Sequence, residues 1–205
     1  EKIEKLSIKN EKSAKEKLDF IEKGSFHVSK IEKKETKRNP YPAFTTSTLQ
    51  IEANRKLGFS ANQTMRTAQK LYEGTEIDGE PTGLITYMRT DSVTMSKQAI
   101  DEIREYVGSN LGKDHIPTEP RTYKSKAKNA QEAHECIRPT NILLSPNKMK
   151  KILNSDEYKL YEIIWQRAVS SQMASAIIDQ VSVDISDKNN NIIFRANGSS
   201  IKFKG

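Results

Sequence analysis

Two stretches of this chain gather side chains that can act on a phosphate. The first reads Gly83-Leu-Ile-Thr-Tyr87-Met-Arg89-Thr90-Asp91-Ser92. An apolar run enters a dense set of polar groups there. Tyr87 is a candidate nucleophile. A phenol with a pKa of about 10 is only about one-thousandth ionised at pH 7. It therefore needs a cation or a base beside it. Arg89 follows two residues later and shares a face with Tyr87 if the segment is extended, as does Asp91. A guanidinium holds phosphate oxygens in a fork. Packing is nonetheless the commoner use of a strand tyrosine, and Tyr87 is one of seven tyrosines.

The second stretch is Gln131-Glu132-Ala133-His134-Glu135-Cys136-Ile137-Arg138-Pro139-Thr140. It brings an imidazole, carboxylates and a guanidinium together just before a helix-breaking proline. His134 can supply charge or a proton to a phosphate. Its ordinary alternative is a hydrogen-bonded histidine in a buried turn. Lys124, Lys126 and Lys128 precede it and read most simply as a solvated basic loop.

Other chemistries find little support. Neither G-x-G-x-x-G nor a Walker pattern occurs, so no nucleotide-phosphate cradle is expected. His134-Glu135 begins like a zincin helix, but Arg138 stands where the second histidine belongs. The acidic residues do not cluster as a metal cage, and no metal ligands are assigned. Cys136 is the lone cysteine, which excludes an internal disulfide and fits a reducing compartment such as the cytoplasm. With three histidines it makes a poor structural zinc set.

The elements that must hold these residues follow from periodicity. The chain has 205 residues, 35% apolar and 30% charged, enough for a core. No uncharged apolar run approaches the ~18 residues of a membrane span. The N-terminus, Glu-Lys-Ile-Glu-Lys, lacks a secretory leader's apolar core. With no initiator Met, the chain is expected to be a piece of a longer protein. A net charge of +7 leans toward an anionic partner.

Residues 1–38 hold 12 Lys/Arg and 8 Asp/Glu. Ala14, Leu18 and Ile21 predict a helix from Ile8 to Lys23, stopped by Gly24. Ser25 to Arg38 reads as a charged strand at an exposed sheet position. Asn39-Pro40-Tyr41-Pro42 ends regular structure and marks a boundary. Helices are then predicted over Thr45–Leu57, from a Ser60–Gln63 capping box to Gly74, from Ser96 to Gly108, from Ser145-Pro146, and over Asp156–Met173. Thr75 to Gly83 reads as a loop with its turn at Asp78-Gly79. The tail changes to a period of two: Val181, Val183 and Ile185 form one strand, Ile192, Phe194 and Ala196 a second, and Ile201 and Phe203 begin a third. The expected fold is α+β: a mostly helical domain, residues 39–173, inserted into a discontinuous antiparallel β domain, residues 1–38 and 174–205.

Three motifs, in order, resemble those of bacterial type IA DNA topoisomerases. Gly-Leu-Ile-Thr-Tyr-Met-Arg-Thr-Asp-Ser is very similar to the family's active-site stretch. Glu-Ala-His-Glu-Cys-Ile-Arg-Pro-Thr resembles its second active-site stretch. Pro42-Ala-Phe44-Thr-Thr-Ser-Thr-Leu-Gln50 resembles the helix that opens the same domain. Leu57-Gly-Phe-Ser60 and Met65 to Tyr72 continue the likeness. It spans about residues 26–205 and is densest over 39–140, whereas residues 1–25 match only in general character.

The resemblance implies that Tyr87 attacks one DNA strand to form a 5′-phosphotyrosyl link, and that strand passage and religation relax negative supercoils. It implies that Arg89 stabilises charge on the scissile phosphate. His134 would contact the DNA backbone, with Asp91 orienting it. Arg138, Thr90 and Ser92 would support the site. The family's magnesium-binding toprim domain lies N-terminal to this region, and nothing in this sequence resembles it. The chain is then expected to be the arch or hinge domain plus the tyrosine domain, a monomer inactive alone. Its partners would be single-stranded DNA and the toprim domain of the same polypeptide, with no membrane. Two alternatives remain: a non-catalytic single-stranded nucleic-acid-binding module, and another tyrosine strand transferase such as a recombinase. A trapped adduct separates the first from a topoisomerase, and the DNA end joined to Tyr87 separates the second.

Overall fold

The computed structural model describes residues 8, 10–77, 79–124 and 134–205. Asp78, Lys126, Lys128 and Gln131 to Ala133, which the sequence reading used, lie outside the described residues. Helices and antiparallel strands divide the chain into two compact units. One comprises Glu1–Arg38 and Ile177–Lys204; the other comprises Asn39–Ala176 with Gly205. The second crossing falls three residues after the expected 174.

In the first unit, α1 spans Glu11–Lys23, and the Asn10 side chain accepts a hydrogen bond from Ser13 N. The helix therefore starts three residues later than its apolar spacing predicted, where a cap is available. None of its residues is buried. Three strands follow: β1 at His27–Arg38, β4 at Ala176–Ser186 and β5 at Ile193–Phe203, ordered β1-β4-β5. Ser29 Oγ donates to Asp184 O and Thr36 Oγ1 to Ile178 O, so β1 runs antiparallel to β4. Strands β4 and β5 are antiparallel, with Ile185 opposite Phe194 and Val181 opposite Gly198. The two tail strands expected beyond Asn191 are one. Gly198 lies within the ladder, so no break separates them. Arg195 forks onto Asp184 at 2.6 and 2.9 Å, and Phe26 packs edge-on against Phe194 at 5.3 Å.

The turn between β4 and β5 is built on Asp187. Its carboxylate accepts from Ile192 N at 2.9 Å, Asn189 N at 3.1 Å and Asn191 Nδ2 at 3.1 Å. These donors, Ile192 N first, hold its pKa below the ordinary aspartate value. A depressed carboxylate contributes stability above its unfolded pKa, about 3.9, and loses it as pH falls through the lower folded value. Acid should therefore loosen this turn. Amide-exchange protection at Asn189 and Ile192 should drop as pH passes below about 4, and an Asp187→Asn variant should show no such drop. Protection unchanged by acid in the native sequence would contradict this.

The second unit holds α2 at Thr46–Leu57, α3 at Ala61–Glu73, α4 at Lys97–Asn110, α5 at Pro146–Met149 and α6 at Ser155–Ser171. Thr45 and Thr48 form a reciprocal capping box on α2. At α3 only half of the expected box forms. Ser60 Oγ accepts from Gln63 N, while Gln63 Nε2 turns to Asp156 Oδ2 at 3.0 Å. Gly108 does not stop α4; it lies inside the helix, where a Cβ would meet Ile116 Cδ1 at 2.9 Å. The expected loop after α3 is a hairpin of β2, Thr75–Ile77, and β3, Glu80–Thr82.

Leu49 and Ala53 of α2, Ala68 and Leu71 of α3, and Leu160, Tyr161 and Ile164 of α6 meet in the main core. Phe44, Leu84, Ile85, Met88 and Ile137 belong to it as well. Burying each large apolar side chain contributes about 1.5–3 kcal/mol, so the segments bearing the motifs are held firmly. Ile103, Val107, Ile142, Ala168 and Val169 form a second cluster, and Trp165 touches both. Trp165 Nε1 donates to Ile142 O at 3.0 Å. Near the ends of the unit, the Tyr123 hydroxyl lies 2.9 Å from Ser171 O and 3.1 Å from Pro40 O. Among the described residues no helix is long and apolar enough to cross a membrane.

Candidate active site

The three motif segments are laced together by backbone hydrogen bonds. Ile137 N donates to Phe44 O at 2.8 Å, Thr86 N to Arg138 O at 2.9 Å, and Thr140 N to Leu84 O at 3.0 Å. Thr46 N donates to Thr90 O at 2.9 Å. Isolated antiparallel bridges join Phe44 to Ile137 and Ile85 to Pro139. The expected apolar strand into Tyr87 is therefore a single bridge followed by bends. Its hydrogen-bond partners are short, irregular segments, so no long ladder can form.

The in–out alternation survives the bends. Tyr87, Arg89 and Asp91 are exposed, while Met88, Thr90 and Ser92 are buried. The buried residues account for the spacing. Thr46 Oγ1 donates to Met88 O at 2.8 Å and accepts from Thr90 N at 2.8 Å. Thr90 Oγ1 accepts from Ser92 N at 3.1 Å, which tightens the turn. Thr90 and Ser92 thus brace the backbone behind three outward side chains.

Tyr87 is 41% exposed, and its ring lies 6.4 Å from that of His134 and 5.4 Å from that of Tyr72. The tyrosine and histidine, 47 positions apart by number, therefore meet on one surface of this unit. Arg89 has no hydrogen bond or ion pair with any described residue, so its guanidinium is available to a ligand. The expected orienting bond between Asp91 and His134 is absent among the described residues. Both side chains are exposed, and neither is drawn into the braced backbone.

Arg138 is directed elsewhere than toward Tyr87. Its Nε donates to Glu135 Oε2 at 2.7 Å, its Nη2 lies 2.6 Å from the same oxygen, and its Nη1 donates to Pro139 O at 2.9 Å. Glu135 Oε1 in turn accepts from Ser96 N at 2.8 Å, at the start of α4. The pair is largely sheltered, with side-chain exposures of 15% and 29%. It ties the turn that carries His134 to α4. Thr86 Oγ1 adds a bond to Cys136 O at 2.7 Å. Burial pushes the Cys136 thiol up to about 12, which makes it inert as a nucleophile. Among the described residues, no three His, Cys, Asp or Glu side chains gather to hold a metal ion.

Two participants escaped the sequence reading. Glu135 was legible only as the ordinary i, i+3 partner of Arg138, and its bond to Ser96 N carries no local signal. Tyr72 carries none either, since its contact depends on how α3 meets the segment entering Tyr87.

The DNA topoisomerase family model matches residues 1–205, including the first 25, where the motifs alone had little to say. A curated relative from Rickettsia bellii, DNA topoisomerase 1, is 55% identical over 205 residues, covering 100% of this chain and 26% of the relative. The DNA topoisomerase 1 of Xylella fastidiosa is 46% identical over 194 residues, covering 94% of this chain and 24% of its own. Among solved structures, the full-length topoisomerase I from Thermotoga maritima superposes with a TM-score of 0.81 at 33% identity, covering 98% of this chain and 32% of that one. The chain belongs to the bacterial type IA DNA topoisomerase family. It spans about a quarter of the length of these curated relatives.

Proposed function

We propose that this chain is the tyrosine-bearing part of an enzyme that breaks and rejoins one DNA strand. Tyr87 Oη attacks the scissile phosphorus and gives up its hydroxyl proton to water. The new bond is a 5′-phosphotyrosyl ester, the P–O3′ bond breaks, and the leaving 3′-oxygen takes a proton. Religation reverses these steps after the intact strand has passed, which relaxes negative supercoils. Arg89 stabilises charge on the non-bridging oxygens during attack. His134 contacts the neighbouring backbone phosphate. Arg138 acts through Glu135, by holding the His134 turn. Magnesium, on this reading, is bound by a toprim domain of the same polypeptide outside this chain. That domain also supplies the acid at the leaving oxygen.

One observation carries the proposal. Tyr87 and Arg89 are both exposed on a segment whose alternate residues are buried, with His134 beside the tyrosine ring. Such a frame preorganises the groups instead of leaving them on a mobile loop.

The test uses the full-length protein and a single-stranded oligonucleotide labelled at each end in turn. After denaturant trapping and proteolysis, the expected product is a peptide containing Tyr87 joined to a 5′-phosphate. A 3′-linkage would turn the reading toward a recombinase-like transferase. Salt-sensitive binding with no adduct would leave a non-catalytic single-strand binder.

A further inference from the structure

We propose that Tyr72 is a positioning residue that holds the Tyr87 ring in its attacking orientation; this rests on Tyr87 being the nucleophile. Tyr72 lies in the last turn of α3. Its ring meets that of Tyr87 edge to face, with centroids 5.4 Å apart and planes at 67°. Aromatic pairs favour that arrangement because the positive edge of one ring meets the negative face of the other. Both rings are 41% exposed, so neither is fixed by deep burial. An exposed tyrosine otherwise samples several rotamers, each sending its hydroxyl to a different place.

The backbone makes this contact fixed. Leu84 N donates to Leu71 O at 2.8 Å, so the segment entering Tyr87 is bonded to the end of α3. A Cβ on Gly83 would stand 2.8 Å from Tyr72 O, too close for any side chain. Gly74, at φ +97°, leaves no room for a Cβ against Thr82 O. Thr140 Oγ1 donates to Gly83 O at 2.6 Å and adds the second motif to the junction. Leu71, Leu84 and Met88 are buried beneath it. The β2–β3 hairpin is therefore an excursion closed at its base, and it leaves the register of Tyr72 and Tyr87 untouched. A nucleophile displaced by about 1 Å can lose about a hundredfold in rate. A ring neighbour on a rigid platform opposes that displacement without touching DNA.

The test compares Tyr72→Leu and Tyr72→Phe in the full-length protein. Single-turnover adduct formation on an oligonucleotide is measured at saturating enzyme, with single-stranded DNA affinity by anisotropy and thermal unfolding as companions. Tyr72→Leu should slow adduct formation by roughly tenfold while affinity stays within about twofold. Tyr72→Phe should keep the native rate within about twofold, because the contact uses the ring and not the hydroxyl. A native rate in Tyr72→Leu would overturn the proposal. So would a loss that appears in affinity and not in the saturating rate, which would make Tyr72 a DNA contact. If Tyr72→Leu unfolds, Tyr72→Met takes its place under the same criteria: a slowed saturating rate with affinity kept upholds the proposal, and a native rate overturns it. Adduct formation that persists in Tyr87→Phe removes the nucleophile assignment itself, an outcome distinct from all of these.

Discussion

In the full-length protein, Tyr87→Phe should leave no measurable covalent DNA adduct and no supercoil relaxation. On the proposed reading, removing the hydroxyl removes the atom that forms the bond to phosphorus, and losses of a nucleophile commonly reach about 10⁴–10⁶ in rate. The substitution is otherwise gentle. The Tyr87 hydroxyl has no hydrogen-bond partner among the described residues, and a phenylalanine ring can keep the edge-to-face contact with Tyr72. Stability should therefore change by no more than about 0.5 kcal/mol, and single-stranded DNA affinity by no more than about twofold. This separates the chemical role from the packing role that a strand tyrosine more often has. An active Tyr87→Phe enzyme would return Tyr87 to packing. Peptide mapping of any residual adduct would then point to the true nucleophile, with Tyr72 the nearest phenol to examine.

Local chemistry made much of the fold legible. Ser60 and Ser96 each cap a helix where a cap was read, because a side-chain oxygen and the third backbone N–H on are a contact within one turn. Asn39-Pro40-Tyr41-Pro42 falls at the division between units because proline cannot continue a ladder or helix. Where the reading failed, the deciding contact was distant. The hairpin after α3 has only three residues per strand, with Pro81 in one of them, too short for a period to register. The third tail strand expected from Ile201 is the end of β5, because its ladder with β4 runs on through Gly198. Gly108 reads as a stop, but its missing side chain makes room for Ile116.

The site divides the same way. The outward row of Tyr87, Arg89 and Asp91 was visible as a spacing of two, although the strand assumed to produce it is replaced by bonds from Thr46 and Thr90. The pairing of Asp91 with His134 was implied by the family resemblance, and the two side chains are not bonded. Arg138 was named for the site, and its actual partner, Glu135, reaches Ser96 on an element about forty residues earlier. Spacing identifies what can share a face; it does not identify which acceptor a guanidinium prefers once several elements converge.

The 205-residue chain by itself should bind single-stranded DNA weakly and neither cleave nor relax DNA, with or without magnesium. Binding requires only the positive balance and exposed aromatic rings, and it should weaken steeply with salt as counterion release is lost. Cleavage requires more than the described residues bring to Tyr87. On the proposed reading Arg89 and His134 offset charge on the phosphate, but no carboxylate is hydrogen-bonded to Tyr87 or His134 among them. No described group of three acidic, histidine or cysteine side chains is arranged to hold a metal. General acid or base assistance is worth about 10²–10⁴ in rate, and a groove that aligns the scissile phosphate contributes further through positioning. On the proposed reading both come from the three quarters of the relatives' length that this chain does not span. Adding that remainder should restore relaxation, and the restored activity should depend on Tyr87. Robust relaxation by residues 1–205 alone, measured on a negatively supercoiled plasmid, would show that the site is complete within these two units and would refute its division between domains.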